Sequence, residues 1–155
     1  MSPPTEAKAI VIDTIGKAAI KTLPLPQQRD DYILVRTTAV GLNPTDWKHV
    51  QGFGDAPGAR LGCDWAGVVE HVGPQVTKSF RKGDRIAGVA HGGNARQHED
   101  GAFGEYIMVK GDLAIKIPDN LTDEEAATLG VGISTVVRLP SSRTAHDSPL
   151  AMLYE

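Results

Sequence analysis

Short apolar runs punctuated by glycine, proline and aspartate recur along the chain, and none is long enough to suggest an extended helix. The pattern predicts strands at Lys8–Asp13, Ala19–Leu23, Tyr32–Val40, Trp65–Val72, Asp84–Val89, Glu105–Lys110 and Leu113–Ile117. Turns such as Gly73-Pro74 and Lys82-Gly83-Asp84 separate them. Within Tyr32–Val40, the continuous run Ile33-Leu34-Val35 gives way to a stretch mixed with threonine. That change predicts a central strand buried more on one side towards its end. Many short strands with frequent turns favour a compact, barrel-like β domain.

Two helical segments are signalled by their caps. Asn43-Pro44-Thr45-Asp46-Trp47-Lys48 offers an N-cap asparagine, proline at the first helical position and an acid in the first turn, where the helix dipole favours negative charge. Thr122 and Glu125 form a capping box that opens a second helix through Ala126-Ala127-Thr128-Leu129, weakened by Gly130 and Gly132. After Val136 the chain turns polar and proline-bounded without clear periodicity, so residues 137–155 are expected to form a divergent, disordered tail.

Composition narrows the class. The 155 residues carry 16 Lys+Arg and 19 Asp+Glu, a net charge of −3, with 41% hydrophobic and 23% charged residues. This is one soluble globular domain, and its mild acidity without a basic stripe argues against nucleic acid or an anionic membrane as partner. Cys63 is the only cysteine, which excludes an intrachain disulfide and the usual multi-cysteine zinc cages. The N-terminus lacks the basic and apolar regions of a signal peptide, and no apolar run approaches a membrane span of about 18 residues. A cytoplasmic location is expected.

Candidate chemistry is sparse when each motif stands alone. Gly52-Phe53-Gly54 and Gly130-Val131-Gly132 begin like dinucleotide-binding loops, but Pro57 and Thr135 occupy their sixth positions, so both read better as turn glycines. His91, His98, Glu99 and Asp100 fit no ligand spacing and read as a solvated loop, with no metal expected. His49, His71 and His146 are isolated in sequence. Cys63 has no activating base beside it and reads as a buried small hydrophobe.

The order of several motifs is more specific than any one of them. Gly41-Leu42-Asn43-Pro44-Thr45-Asp46-Trp47-Lys48 is followed by Leu61-Gly62-Cys63-Asp64-Trp65-Ala66-Gly67-Val68-Val69 and Lys82-Gly83-Asp84-Arg85-Ile86. Gly101-Ala102-Phe103-Gly104-Glu105-Tyr106 and Ala126-Ala127-Thr128-Leu129-Gly130 complete the set. Together they resemble the GroES-like N-terminal domain of medium-chain dehydrogenases/reductases. The similarity is greatest to the zinc-independent, quinone-reductase-like branch and, within it, to the fungal trans-acting enoyl reductases that serve polyketide synthases. The resemblance implies a mainly β (α+β) fold with short helices, a GroES-like partly open β-barrel over residues 1–136.

It also implies a chemistry. Asn43 stands where the zinc enzymes place a catalytic cysteine, and Gly62-Cys63-Asp64 stands for their Gly-His-Glu, so catalytic zinc is not expected. The implied reaction is NADPH-dependent reduction of an α,β-unsaturated thioester on a polyketide synthase. Carried over by position, Asn43, Pro44, Thr45 and Thr135 would contact the cofactor, and Lys48 and Thr135 would be catalytic. Each has a plainer reading: Asn43 as a helix cap, Lys48 as a solvent-facing charge, Thr135 as a helix-surface hydroxyl. Asp64, Gly62 and Gly67 are expected to hold turn and strand packing rather than touch substrate.

The resemblance covers about residues 6 to 136, and the family would then continue into a Rossmann domain, which is expected to be absent here. A truncated chain, inactive alone and weak for NADPH, is the corresponding expectation. Its apolar face around Leu129, Val131 and Ile133 would be left open to association. A non-catalytic GroES-like module that pairs with a full-length reductase, and a quinone or aldehyde reductase of the same superfamily, remain as alternatives.

Overall fold

The computed structural model describes residues 3–54 and 56–138. Its strands are β1 (Glu6–Thr14), β2 (Lys17–Pro24), β3 (Tyr32–Gly41), β4 (Asp64–Val72), β5 (Arg85–Val89), β6 (Tyr106–Lys110) and β7 (Ala114–Lys116). The helices are α1 (Pro44–Val50), α2 (Asp123–Ala126) and α3 (Gly130–Arg138), with a single 3-10 turn at Gly111–Leu113. Each predicted strand is present. Val137 and Arg138, expected to begin the tail, are instead the last residues of α3, and the rest of the expected tail lies outside the described residues.

β1 and β2 form an antiparallel pair, and the other strands form an antiparallel sheet in the order β6-β3-β4-β5-β7. Irregular pairing between β3 and β4, at Leu34/Val35 and at Thr37/Ala39, bends the sheet at its middle. Isolated bridges from Ala9 to Gly104 and from Val11 to Arg60 bring the β1–β2 pair against it. The two sheets remain open rather than closing into one barrel, which fits the expected partly open architecture.

β3 is an interior strand between β6 and β4, with β4 at the centre of the sheet. Ile33, Leu34 and Val35 are all buried, after which burial alternates through Ala39. The main core gathers Ile33, Val35, Trp65, Val69, Ile86, Ile107 and Val109, all essentially inaccessible to solvent. Burial of side chains this size stabilises by about 1.5–3 kcal/mol each. Gly67 sits on β4 opposite Thr37 of β3, and a Cβ there would run into the Arg36 carbonyl and the Val35 side chain.

The second helical segment departs from expectation. The Thr122–Glu125 capping box forms, but α2 ends after one turn, and a separate helix, α3, starts at Gly130. Gly130 is therefore a helix start rather than an interruption. A Cβ on it would lie 2.6 Å from Asp64 Oδ1 and 2.7 Å from the Gly88 carbonyl, so only glycine lets α3 settle this close to β4 and β5. Both Gly52 and Gly54 have positive φ in the turn after α1, as their turn reading requires.

Candidate functional site at the starts of α1 and α3

The local sequence builds the first half of the site. Asn43 is extended at the N-cap of α1, and Pro44 supplies the first helical residue, where no N–H is needed. The Asn43 backbone N–H donates to Asp46 Oδ2 at 2.7 Å, and the Asp46 N–H returns to the Asn43 carbonyl at 3.0 Å. The Asn43 side-chain amide also reaches out of the helix: Nδ2 donates to Asp64 Oδ2 at 2.9 Å. Asparagine is thus both an end marker and a tertiary contact.

Asp64, the first residue of β4, is only 2% exposed. Its second oxygen, Oδ1, accepts the Val131 N–H at 2.7 Å, which satisfies one of the free donors at the start of α3. Burial pushes the Asp64 carboxyl above the usual carboxylate range, and the Asn43 and Val131 donors oppose that shift. The Gly130-Val131-Gly132 helix start therefore already has a carboxylate at its anion-favouring end. It is neither the turn expected from sequence nor a free phosphate cradle.

Asp46 is a second buried carboxylate, with Oδ1 lacking a partner among the described residues. Burial raises its carboxyl, and the Asp64 charge adds to the shift, while the Asn43 N–H and the Cys63 thiol oppose it. Thr45 Oγ1 lies 3.6 Å from Cys63 Sγ. Burial also pushes the Cys63 thiol up, so at neutral pH it is protonated and behaves as the small buried residue its sequence context suggests.

The remaining candidate positions are spread along the two helices. Pro44 is exposed, whereas Thr45, Lys48 and Thr135 are half-buried. Lys48 Nζ stands 5.9 Å from the Trp47 ring centroid. Thr135 lies one helical turn beyond Val131, and both line a groove of about 680 Å³ with His91 and Ser134. Among the described residues, Asn43, Pro44, Thr45 and Lys48 do not line that groove. The structure thus unites Asn43, Thr45, Cys63 and Asp64, and links them to Thr135 through the backbone of α3.

Sequence reasoning missed two features here. The sequence points Asp64 only to turn and strand packing, yet it joins two helices; its only sequence signal is its place in the Gly62-Cys63-Asp64 segment. His49, isolated in the chain, packs edge-on against Phe53 at 5.1 Å and His91 at 6.4 Å between ring centroids. Its Nδ1 bonds the Phe53 carbonyl at 2.9 Å, and because a carbonyl only accepts, Nδ1 carries the proton. Burial lowers the His49 pKa, with the His91 charge acting in the same direction.

The loop after His91 is more than a solvated connection. Asp100 pairs with Arg29 at 2.5 Å and accepts from Asn94 at 3.2 Å, while Glu99 accepts from the Gln27 N–H at 3.0 Å. Among the described residues, no group of three or more His, Cys, Asp and Glu side chains is arranged to hold a metal ion. No helix among them is long and apolar enough to cross a membrane.

Comparisons with known proteins agree with this architecture. Residues 29–119 match the alcohol dehydrogenase GroES-like domain family. The trans-enoyl reductase resD of Aspergillus sclerotiorum is 55% identical over 130 residues, which is 83% of this chain and 36% of that protein. The trans-enoyl reductase TOXD of Cochliobolus carbonum is 56% identical over 133 residues, 85% of this chain and 44% of that protein. The chain thus spans less than half the length of both relatives. The quinone oxidoreductase from Coxiella burnetii superimposes with a TM-score of 0.74 at 28% identity, covering 88% of this chain and 45% of that structure. With the family match spanning the whole five-stranded sheet and the hydrogen-bonded start of α1, the chain belongs to the alcohol dehydrogenase GroES-like domain family.

Proposed function

We propose that this chain forms the nicotinamide and acyl edge of an NADPH-dependent, zinc-independent trans-acting enoyl reductase of polyketide biosynthesis. The observation that carries the reading is the Asn43–Asp64–Val131 connection, which brings the starts of α1 and α3 to one carboxylate. Identities of 55% and 56% to proteins named trans-enoyl reductases support the enoyl class. The partner would be a polyketide synthase presenting an α,β-unsaturated thioester.

The donor set suits the nicotinamide end of the cofactor. An asparagine amide, the Thr45 and Thr135 hydroxyls and the Lys48 ammonium offer hydrogen bonds and one cation, and Pro44 offers a small rigid surface. The set does not suit the phosphate end, because the α3 start carries Asp64 rather than an open cluster of N–H groups. NADPH, when bound, supplies the hydride that adds to the β-carbon of the enoyl thioester. Lys48 would give a proton to the α-carbon or a cationic hydrogen bond to the developing enolate oxygen, and the Thr135 hydroxyl would assist from the groove that it lines. Asn43 and Thr45 orient the flat ring.

The test is a titration of the isotope-labelled chain, followed by NMR, with reduced nicotinamide mononucleotide and with crotonyl-pantetheine. Shifts confined to residues 43–48 and 131–135 are expected, with weak affinity for each probe. Shifts elsewhere, or none at millimolar probe, would remove the reading. The likeness to a quinone oxidoreductase favours a second reading, in which a quinone takes the hydride. Replacing crotonyl-pantetheine with a naphthoquinone in the same titration separates the two.

A further inference from the structure

Asp64 is an unusual choice for a buried strand start. It is 2% exposed, takes part in no ion pair among the described residues, and has each oxygen on a different neutral donor. Two glycines make room for it. A Cβ on Gly130 would meet its Oδ1 at 2.6 Å, and one on Gly41 would meet its Cβ at 3.0 Å. Both Asp64 oxygens accept, Oδ1 from the Val131 N–H and Oδ2 from Asn43 Nδ2, so Asn43 presents Nδ2 to the carboxyl and holds its own Oδ1 the other way.

We infer that Asp64 is a positioning residue that fixes the sense of the Asn43 amide and ties it to the start of α3, so that the two halves of the site hold one arrangement. The inference rests on the proposed cofactor edge for its consequence but not for its geometry. Asp64 acts through Asn43 and Val131, the two groups its oxygens hold. An asparagine at position 64 separates this role from packing. Its oxygen still accepts the Val131 N–H, while its NH2 now faces Asn43 and forces that amide to turn over.

The experiment compares the wild-type chain with Asp64→Asn and Asn43→Ala by amide hydrogen exchange and by titration with reduced nicotinamide mononucleotide. Asn43→Ala is expected to speed exchange at Val131 at least tenfold, because Asp64 loses the donor that holds it. Unchanged Val131 exchange in that variant would overturn the coupling, whatever the ligand does. Asp64→Asn is expected to keep its fold and its Val131 protection while weakening mononucleotide binding at least fivefold. A parallel loss of protection and binding in Asp64→Asn would mark a packing role and overturn the inference, as would wild-type binding. If the wild type itself shows no mononucleotide response, the cofactor edge fails and orientation is no longer a specificity device, while Val131 exchange still decides the coupling.

Discussion

Asn43 and Asp64 meet across 2.9 Å between the N-cap of α1 and the first residue of β4, 21 positions apart in the chain. The contact places the start of a short helix against a carboxylate that also receives α3. A helix of seven residues is marginal by itself, so its start depends on such tertiary anchoring.

Two glycines in α3 should respond in opposite directions to the same substitution. Gly130→Ala gains helix propensity of about 1 kcal/mol but drives a methyl into Asp64 and the Gly88 carbonyl, and the clash wins. A net loss of about 1–3 kcal/mol is expected in urea denaturation. Gly132→Ala meets nothing within 4 Å and should stabilise by roughly 0.8–1 kcal/mol. Equal effects at both positions would mean that α3 does not pack on Asp64.

Asp46→Asn should stabilise the chain at neutral pH. Because burial raises the Asp46 carboxyl in the fold, the native state holds its proton to higher pH than the unfolded chain does. Native stability from this group is therefore greatest in acid and falls as pH rises from the ordinary carboxylate range through the raised folded value. Asparagine keeps an oxygen for the Asn43 N–H and removes the charge facing Asp64. The variant should match wild type near pH 3 and exceed it by on the order of 1 kcal/mol at pH 7. A benefit confined to acid would contradict this sign.

Lys48→Met and Thr135→Val should separate stability from recognition. Both side chains are half-buried on helix surfaces, so unfolding free energies from urea denaturation should move by no more than about 0.5 kcal/mol each. Chemical shifts caused by reduced nicotinamide mononucleotide should weaken severalfold in both. A clear loss of stability with an undiminished response would return both residues to structural roles.

The outer face of α3 carries Ile133, Val136 and Val137, which are 51%, 65% and 67% exposed. Leu129 and Val131 are half-buried, so the apolar face lies further along the helix than sequence suggested. Changing Ile133 and Val136 together to serine should reduce concentration-dependent association in sedimentation velocity, because it removes contiguous apolar surface. Unchanged association would place any self-contact on another face.

Local sequence determined the strands, the α1 cap and the Thr122–Glu125 box, because each follows from neighbours within a few residues: alternation, turn glycines and capping side chains. It also determined that Ile33, Leu34 and Val35 would be buried together, since a continuous apolar run has no solvent face to offer. Tertiary structure alone decided that α2 stops and α3 begins at Gly130, where close packing on Asp64 and Gly88 requires the absence of a Cβ. It likewise decided that Asp64 joins two helices and that His49 meets His91, since both contacts close over long loops that carry no local signal. The residue types were visible from the start, but which donors a buried carboxylate receives depends on what the fold brings within 3 Å of it.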